Sequence, residues 1–115
     1  MGPSKQRTVM INTDAVSAFN VARQAITQCG WPSTIINSSC IKASTGISWR
    51  SWGDTIVVQI QVSGNITYLN VQSELGYGLF DWGKNQNNID KYLYYLGGIG
   101  TNLIYMIIYK NGVIP

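Results

Sequence analysis

Ile56, Val58, Ile60 and Val62 fall at every second position and alternate with Val57, Gln59 and Gln61. That period of two predicts a half-buried strand over residues 55–62. Ser63-Gly64-Asn65 is a hairpin turn signal, and a second alternating run over residues 66–73 returns from it. Thr67, Leu69, Val71 and Ser73 form one face of this return strand, against Ile66, Tyr68, Asn70 and Gln72 on the other. Upstream, residues 8–11 read as a short strand, closed by Asn12-Thr13-Asp14, three residues suited to capping a helix.

The period changes over residues 15–29. Ala15, Phe19, Ala22, Ile26 and Cys29 recur at helical spacing, Ala18 and Ala25 widen the stripe, and polar Ser17, Asn20, Arg23, Gln24 and Thr27 fill the opposite side. Gly30 and Pro32 then stop the helix, because glycine accepts a left-handed closing residue and proline cannot continue the ladder. Residues 34–44 read as one strand, with Ile35, Ile41 and Ala43 on one face and Ile36, Ser38, Cys40 and Lys42 on the other. Late in the chain, Asn85-Gln86-Asn87-Asn88 offers a cap for a second helix. Its stripe is Ile89, Tyr92, Leu93 and Leu96, and Gly97-Gly98 is expected to break it.

The predicted fold class is therefore α+β: an antiparallel sheet, in the order strand-helix-strand-strand-strand-helix, with both helices packed on one face. One domain spans 1–115, with a disordered tail at 1–6, a core at 8–96 and an apolar C-terminal segment at 97–115. From Tyr92 to Tyr109 the chain has 18 residues without charge between Lys91 and Lys110. That length meets a criterion for a membrane span, but three glycines, Thr101 and Asn102 oppose it. An extra C-terminal strand over 103–109 is the preferred reading, and membrane association of the segment the lesser one.

Charge changes the picture on the surface. Only 11% of the 115 residues are charged, less than half the usual share of about 25%. Such a surface repels itself weakly, which favours self-association or a partner face. The net charge of +3 is scattered along the chain, so it allows an acidic partner without arguing for one. No histidine is present, which removes the commonest general base and the commonest metal ligand together. Cys29 and Cys40 flank a Gly-Trp-Pro turn. Two free thiols are expected rather than a disulfide, and two thiols alone leave a zinc site half filled. No signal peptide is visible, the myristoylation pattern fails at Gln6, and the expected location is cytoplasmic.

The candidate chemistry centres on two matching turns, Ser51-Trp52-Gly53-Asp54 and Asp81-Trp82-Gly83-Lys84. Trp52 and Trp82 could form an aromatic platform bordered by Asp54, Asp81 and Lys84; the structural alternative has each ring capping the core and Asp81 or Asn85 capping the second helix. Trp49-Arg50-Ser51-Trp52 has the composition that stacks bases or sugars, but no basic stripe accompanies it, so nucleic acid ranks low among partners. Among the five carboxylates, Asp14 and Asp90 read as helix-start charges. Asp54, Glu74 and Asp81 are the only trio left for acid-base chemistry, with no nucleophile and base to join them. Gly97-Gly98-Ile99-Gly100 lacks the Lys and Ser or Thr of a phosphate loop. Asn37-Ser38-Ser39 and Asn65-Ile66-Thr67 fit the glycosylation pattern, which matters only in an exported chain.

Taken with Ile41-Lys42-Ala43-Ser44-Thr45-Gly46, and with Asn85 and Ile89 after the second turn, the paired turns resemble a family of small bacterial domains. That family carries S-W-G-[DE] and D-W-G-K-N motifs, and the likeness covers about residues 8–96. Asp54 stands where the family more often has Glu. The resemblance implies a sheet-plus-two-helix layout similar in shape to helix-grip and TATA-binding-protein-like folds, and implies no activity or cofactor.

The expected function is a non-catalytic interaction or self-association domain that offers an open sheet face, an edge strand or the apolar tail. Its partner is expected to be itself or another protein. The alternative is a small apolar ligand held between the second helix and the sheet, in a pocket lined by Trp52, Trp82 and Leu93. A hydrolase using Asp54 and Asp81 ranks below both. Trp49, Arg50, Trp52, Asp54, Asp81, Trp82 and Lys84 are the candidate ligand or partner contacts.

Overall fold

A computed structural model of the chain describes residues 4–45, 54–74, 84–99 and 108–110. The elements run β1 (Ser4–Ile11), α1 (Ala15–Cys29), β2 (Ser33–Asn37), β3 (Cys40–Ser44), β4 (Thr55–Ser63), β5 (Ile66–Glu74), α2 (Lys84–Ile99) and β6 (Ile108–Lys110). The strands form one antiparallel sheet of six, in the order β2-β3-β4-β5-β1-β6, and both helices pack on one of its faces. The α+β class and the two-helix layer are as the hydrophobic pattern predicts.

Helix α1 forms where its signals place it. Asp14 is the N-cap, its carboxylate accepting from the Ser17 amide at 2.7 Å, which satisfies an amide that the helix itself leaves unpaired. At the far end Gly30 takes φ 80°, and the amides of Gly30 and Trp31 donate back to the Thr27 and Ile26 carbonyls. Ala18, Val21, Ala22, Ala25, Ile26 and Cys29 are buried. Three of the six are alanines, set between the larger Val21 and Ile26.

Successive strand residues point to opposite faces, so the register settles which of them meet the helices. Ile41, Val58 and Val71 lie side by side across β3, β4 and β5, and Ile60, Leu69 and Val9 across β4, β5 and β1. All six are buried, and they join Ile89, Tyr92, Leu93 and Leu96 of α2 in one core. The hydroxyl of fully buried Tyr92 donates to the Ala22 carbonyl at 3.0 Å, pinning one helix to the other.

Three boundaries differ from the sequence expectation. Residues 34–44 are two strands and not one: the Asn37 side chain accepts from the Ser39 amide at 2.8 Å and from its hydroxyl at 3.0 Å. This side-chain turn reverses the chain within three residues. The expected tail at 1–6 is ordered from Ser4, because β1 pairs with β5 from Ser4 to Ile11 and Gln6 donates to Gln72 at 3.2 Å. Helix α2 continues through Gly97-Gly98 to Ile99; glycine costs about 1 kcal/mol per site in a helix, and the packing of Leu96 and Ile99 on the core outweighs it. The extra C-terminal strand is present: the uncharged stretch from Tyr92 to Tyr109 begins in α2 and ends in β6, which pairs with β1 at Val9 to Arg7. Among the described residues no helix is long and apolar enough to cross a membrane.

Candidate functional site

The two aromatic turns lie largely outside the described residues. Trp49, Arg50, Trp52, Asp81 and Trp82 are among those not described, and Lys84 is seen only as the first residue of α2. Asp54, which ends the first turn, is described and fully buried. Its Oδ2 accepts from the Asn88 carboxamide at 2.7 Å, and the same amide nitrogen approaches Ser73 Oγ at 3.3 Å. On the backbone, the Asp54 amide donates to Thr45 Oγ1 at 2.8 Å while the Thr45 amide donates to the Asp54 carbonyl at 3.0 Å.

This cluster therefore ties the exit of the first turn to the second helix, one turn past its start, and to the end of β5. A buried carboxylate is tolerable only when donors reach it, and Asn88 is such a donor. The sequence pattern places Asn88 in the helix cap. The helix starts at Lys84, so Asn85 lies within it and Asn88 turns inward; its burial behind a polar run gave no sequence signal. Asp90 sits beyond the first turn and is exposed, so the helix-start role assigned to it does not hold.

The acid-base trio does not converge where it is described. Asp54 shares the helix-covered face with Ile56, whereas Glu74 pairs with Thr55 on the opposite face, where it accepts from Gln72 at 2.9 Å. Among the described residues, no group of three His, Cys, Asp or Glu could hold a metal ion. The arrangement around Asp54 acts as a staple: carboxylate, carboxamide and hydroxyls satisfy one another.

Both cysteines are free thiols. Cys29 is buried at the end of α1 on the helix side, and Cys40 faces the other side of the sheet with Gln59 and Asn70. The sheet thus separates them. Burial pushes the Cys29 thiol up to about 11, with the Lys91 charge pulling weakly the other way. Lys91 itself rests 5.7 Å over the Trp31 ring, which stacks with Tyr92 at 6.4 Å.

The sheet face turned away from the helices carries Gln6, Gln72, Gln59, Asn70, Gln61 and Thr8 around Val57, Met10 and Tyr68. Polar and apolar residues are interspersed on it, and Tyr68 is buried. Thr8 Oγ1, Asn70 Oδ1 and Gln61 Oε1 are buried on it without a hydrogen-bond partner among the described residues. Three hollows are described: about 540 Å³ between the β1–α1 turn and the β4–β5 hairpin, about 520 Å³ between α1 and β2, and about 310 Å³ along β2 and β3. Two of the three border β2.

Strand β2 is the most unusual surface element. It stands at the edge of the sheet, every one of its five residues is exposed, and its sequence Ser-Thr-Ile-Ile-Asn holds no charge. Ile35 and Ile36 are 49% and 54% exposed. The Ser44 amide donates to the Pro32 carbonyl at 3.0 Å, which sets the phase of the ladder. Pro32 and Thr34 then face β3, and the backbone groups of Ser33 and Ile35 point outward, away from it. Sequence reasoning named an edge strand in general but could not say which one, because strand order is a property of the assembled sheet.

No protein-family model matches the chain, and no curated protein matches it. Among solved structures, the chain is similar in fold to the Aha1 dimer from Colwellia psychrerythraea, with a TM-score of 0.58 at 10% identity, over 84% of this chain and 96% of that one. At that identity the likeness is one of fold.

Proposed function

We propose that this chain is a non-catalytic interaction domain that associates with a second copy of itself. The observation that carries the reading is the uncharged, exposed edge strand β2 with its two exposed isoleucines. Natural sheets usually guard an edge with lysine, proline, a covering helix, a bulge or a very short strand, because its unpaired amides and carbonyls are a template for another strand. This edge has a bulge and a short length and no charge. A low overall charge, eight basic and five acidic residues in 115, leaves little repulsion to keep copies apart. The similar fold from Colwellia psychrerythraea was solved as a dimer, which favours a second copy over an unrelated partner.

The test is the solution mass of the full chain by light scattering and sedimentation over a wide concentration range. A mass rising from one copy to two supports the reading, and a single-copy mass throughout overturns it. The full chain is required, since Leu96 and Ile99 belong to the packed layer and a shortened α2 would disturb the core.

A further inference from the structure

Resting on the self-association reading, we infer that the seam between the copies is β2 against β2, antiparallel, with Thr34 on the two-fold axis. The backbone phase admits this register, which engages both outward-facing residues of the regular edge. Ser33 and Ile35 hold the outward amides and carbonyls, so in an antiparallel pair Ser33 of one copy faces Ile35 of the other, and the reverse. Thr34 then meets Thr34 of the second copy as a non-hydrogen-bonded pair.

Several features suit this occupant. A strand paired with its own copy doubles any charge it carries at the seam, and Ser33–Asn37 has no charge to repel. Thr34 lies on the face turned away from the helices, with Lys42 and Val57, where a threonine pair is a favourable cross-strand contact. Ile35 lies on the helix side with Ile41, beside Arg23, Gln24, Thr27 and Gln28 of α1. Its exposed half would close against the second copy beneath the two α1 helices, which a two-fold perpendicular to the sheet keeps on one face. The register shift between Ile35 and Asn37 ends the regular edge, so the seam is confined to about the first three residues. So short a seam belongs with weak interfaces, exchanging between about 1 μM and about 1 mM.

Two variants test the seam. Thr34→Cys, made with Cys40→Ser, should give a covalent dimer with oxidised glutathione as the oxidant, since cysteines in a non-hydrogen-bonded pair have Cα atoms about 4.5 Å apart, within disulfide reach. Ser33→Cys in the same background should not, because its copies are offset by two residues and lie beyond the limit of about 7 Å. Ile35→Lys, at a half-exposed position that the folded chain tolerates, should weaken dimerisation at least tenfold while circular dichroism stays unchanged.

A chain that dimerises, with Thr34→Cys cross-linking and Ile35→Lys weakening the dimer, supports the seam. A chain that dimerises with neither effect overturns the seam and leaves self-association standing. A chain that is monomeric up to about 1 mM overturns both, and an extended strand from another protein then becomes the occupant to seek.

Discussion

Strands β4 and β2 are built from similar residues and meet opposite fates. In β4, Ile56, Val58 and Ile60 are buried beneath the helices; in β2, Ile35 and Ile36 are about half exposed, although Ile35 pairs directly with the buried Ile41. The residue type is the same and the surroundings differ. β4 has a strand on each side and helices above, whereas β2 has β3 on one side and solvent on the other. Isoleucine in a strand therefore reports a tendency to be covered, and the sheet order decides whether the chain itself supplies the cover. Where it does not, the remaining apolar surface is available to a second molecule.

The sharpest way to break the comparison is truncation on both sides. Ile56→Ala should cost about 2–5 kcal/mol of stability, since a fully buried isoleucine leaves a cavity. Urea unfolding checks it, and a cost below about 1 kcal/mol would mean that the helix layer is looser than described. Next comes the staple that holds the covered side closed. Asn88→Ala removes a donor from the buried Asp54 carboxylate and should cost about 1.5–3 kcal/mol, with Asn88→Asp costing more at neutral pH by setting two carboxylates together. Tyr92→Phe leaves the Ala22 carbonyl without its partner and should cost about 1–2 kcal/mol.

A pH measurement sharpens the same contrast. Burial raises Cys29 from 9.0 to about 11, so the folded thiol keeps its proton where the unfolded thiol loses it. Its contribution to stability is complete below pH 9 and is lost as the pH rises through 11. Burial also raises the Tyr92 phenol, with the same sign at higher pH. The urea midpoint should hold from pH 7 to 9 and fall from 9 to 11, and Cys29→Ser should shallow that fall without removing it. The smallest effect is expected at the edge: Ile35→Ala should change monomer stability by less than about 0.5–1 kcal/mol. A cost near that of Ile56→Ala would show that β2 is covered in solution, and its dependence on protein concentration would identify a second copy as the cover.

Helix α1 was legible because its signals are local and agree: the Asp14 cap, the alanine-rich stripe, and the stop at Gly30 and Pro32. The β4–β5 hairpin was legible for the same reason, alternation on either side of Gly64-Asn65, with Gly64 at φ 62°. The turn at Asn37 was missed although Asn37-Ser38-Ser39 is a polar turn cluster between Ile36 and Cys40, because alternation of apolar positions continues on either side of it and the reversal depends on a side-chain hydrogen bond. The site was less legible still. Asp54 was named, but its partner Asn88 was read as a cap, since inward and outward asparagines look alike in sequence.

The chain's own sequence determined the α+β class, the helix-covered faces of β4 and β5, the boundaries of α1 and the shortage of charge, because these depend on neighbours within a few residues. Tertiary structure alone decided that β2 stands at the edge, that α2 runs on through two glycines, that Asp54 meets Asn88 across 34 positions, and that the sheet divides Cys29 from Cys40. Each of these depends on which segment packs beside which, and the free energy that settles it comes from burial shared between segments far apart in the chain.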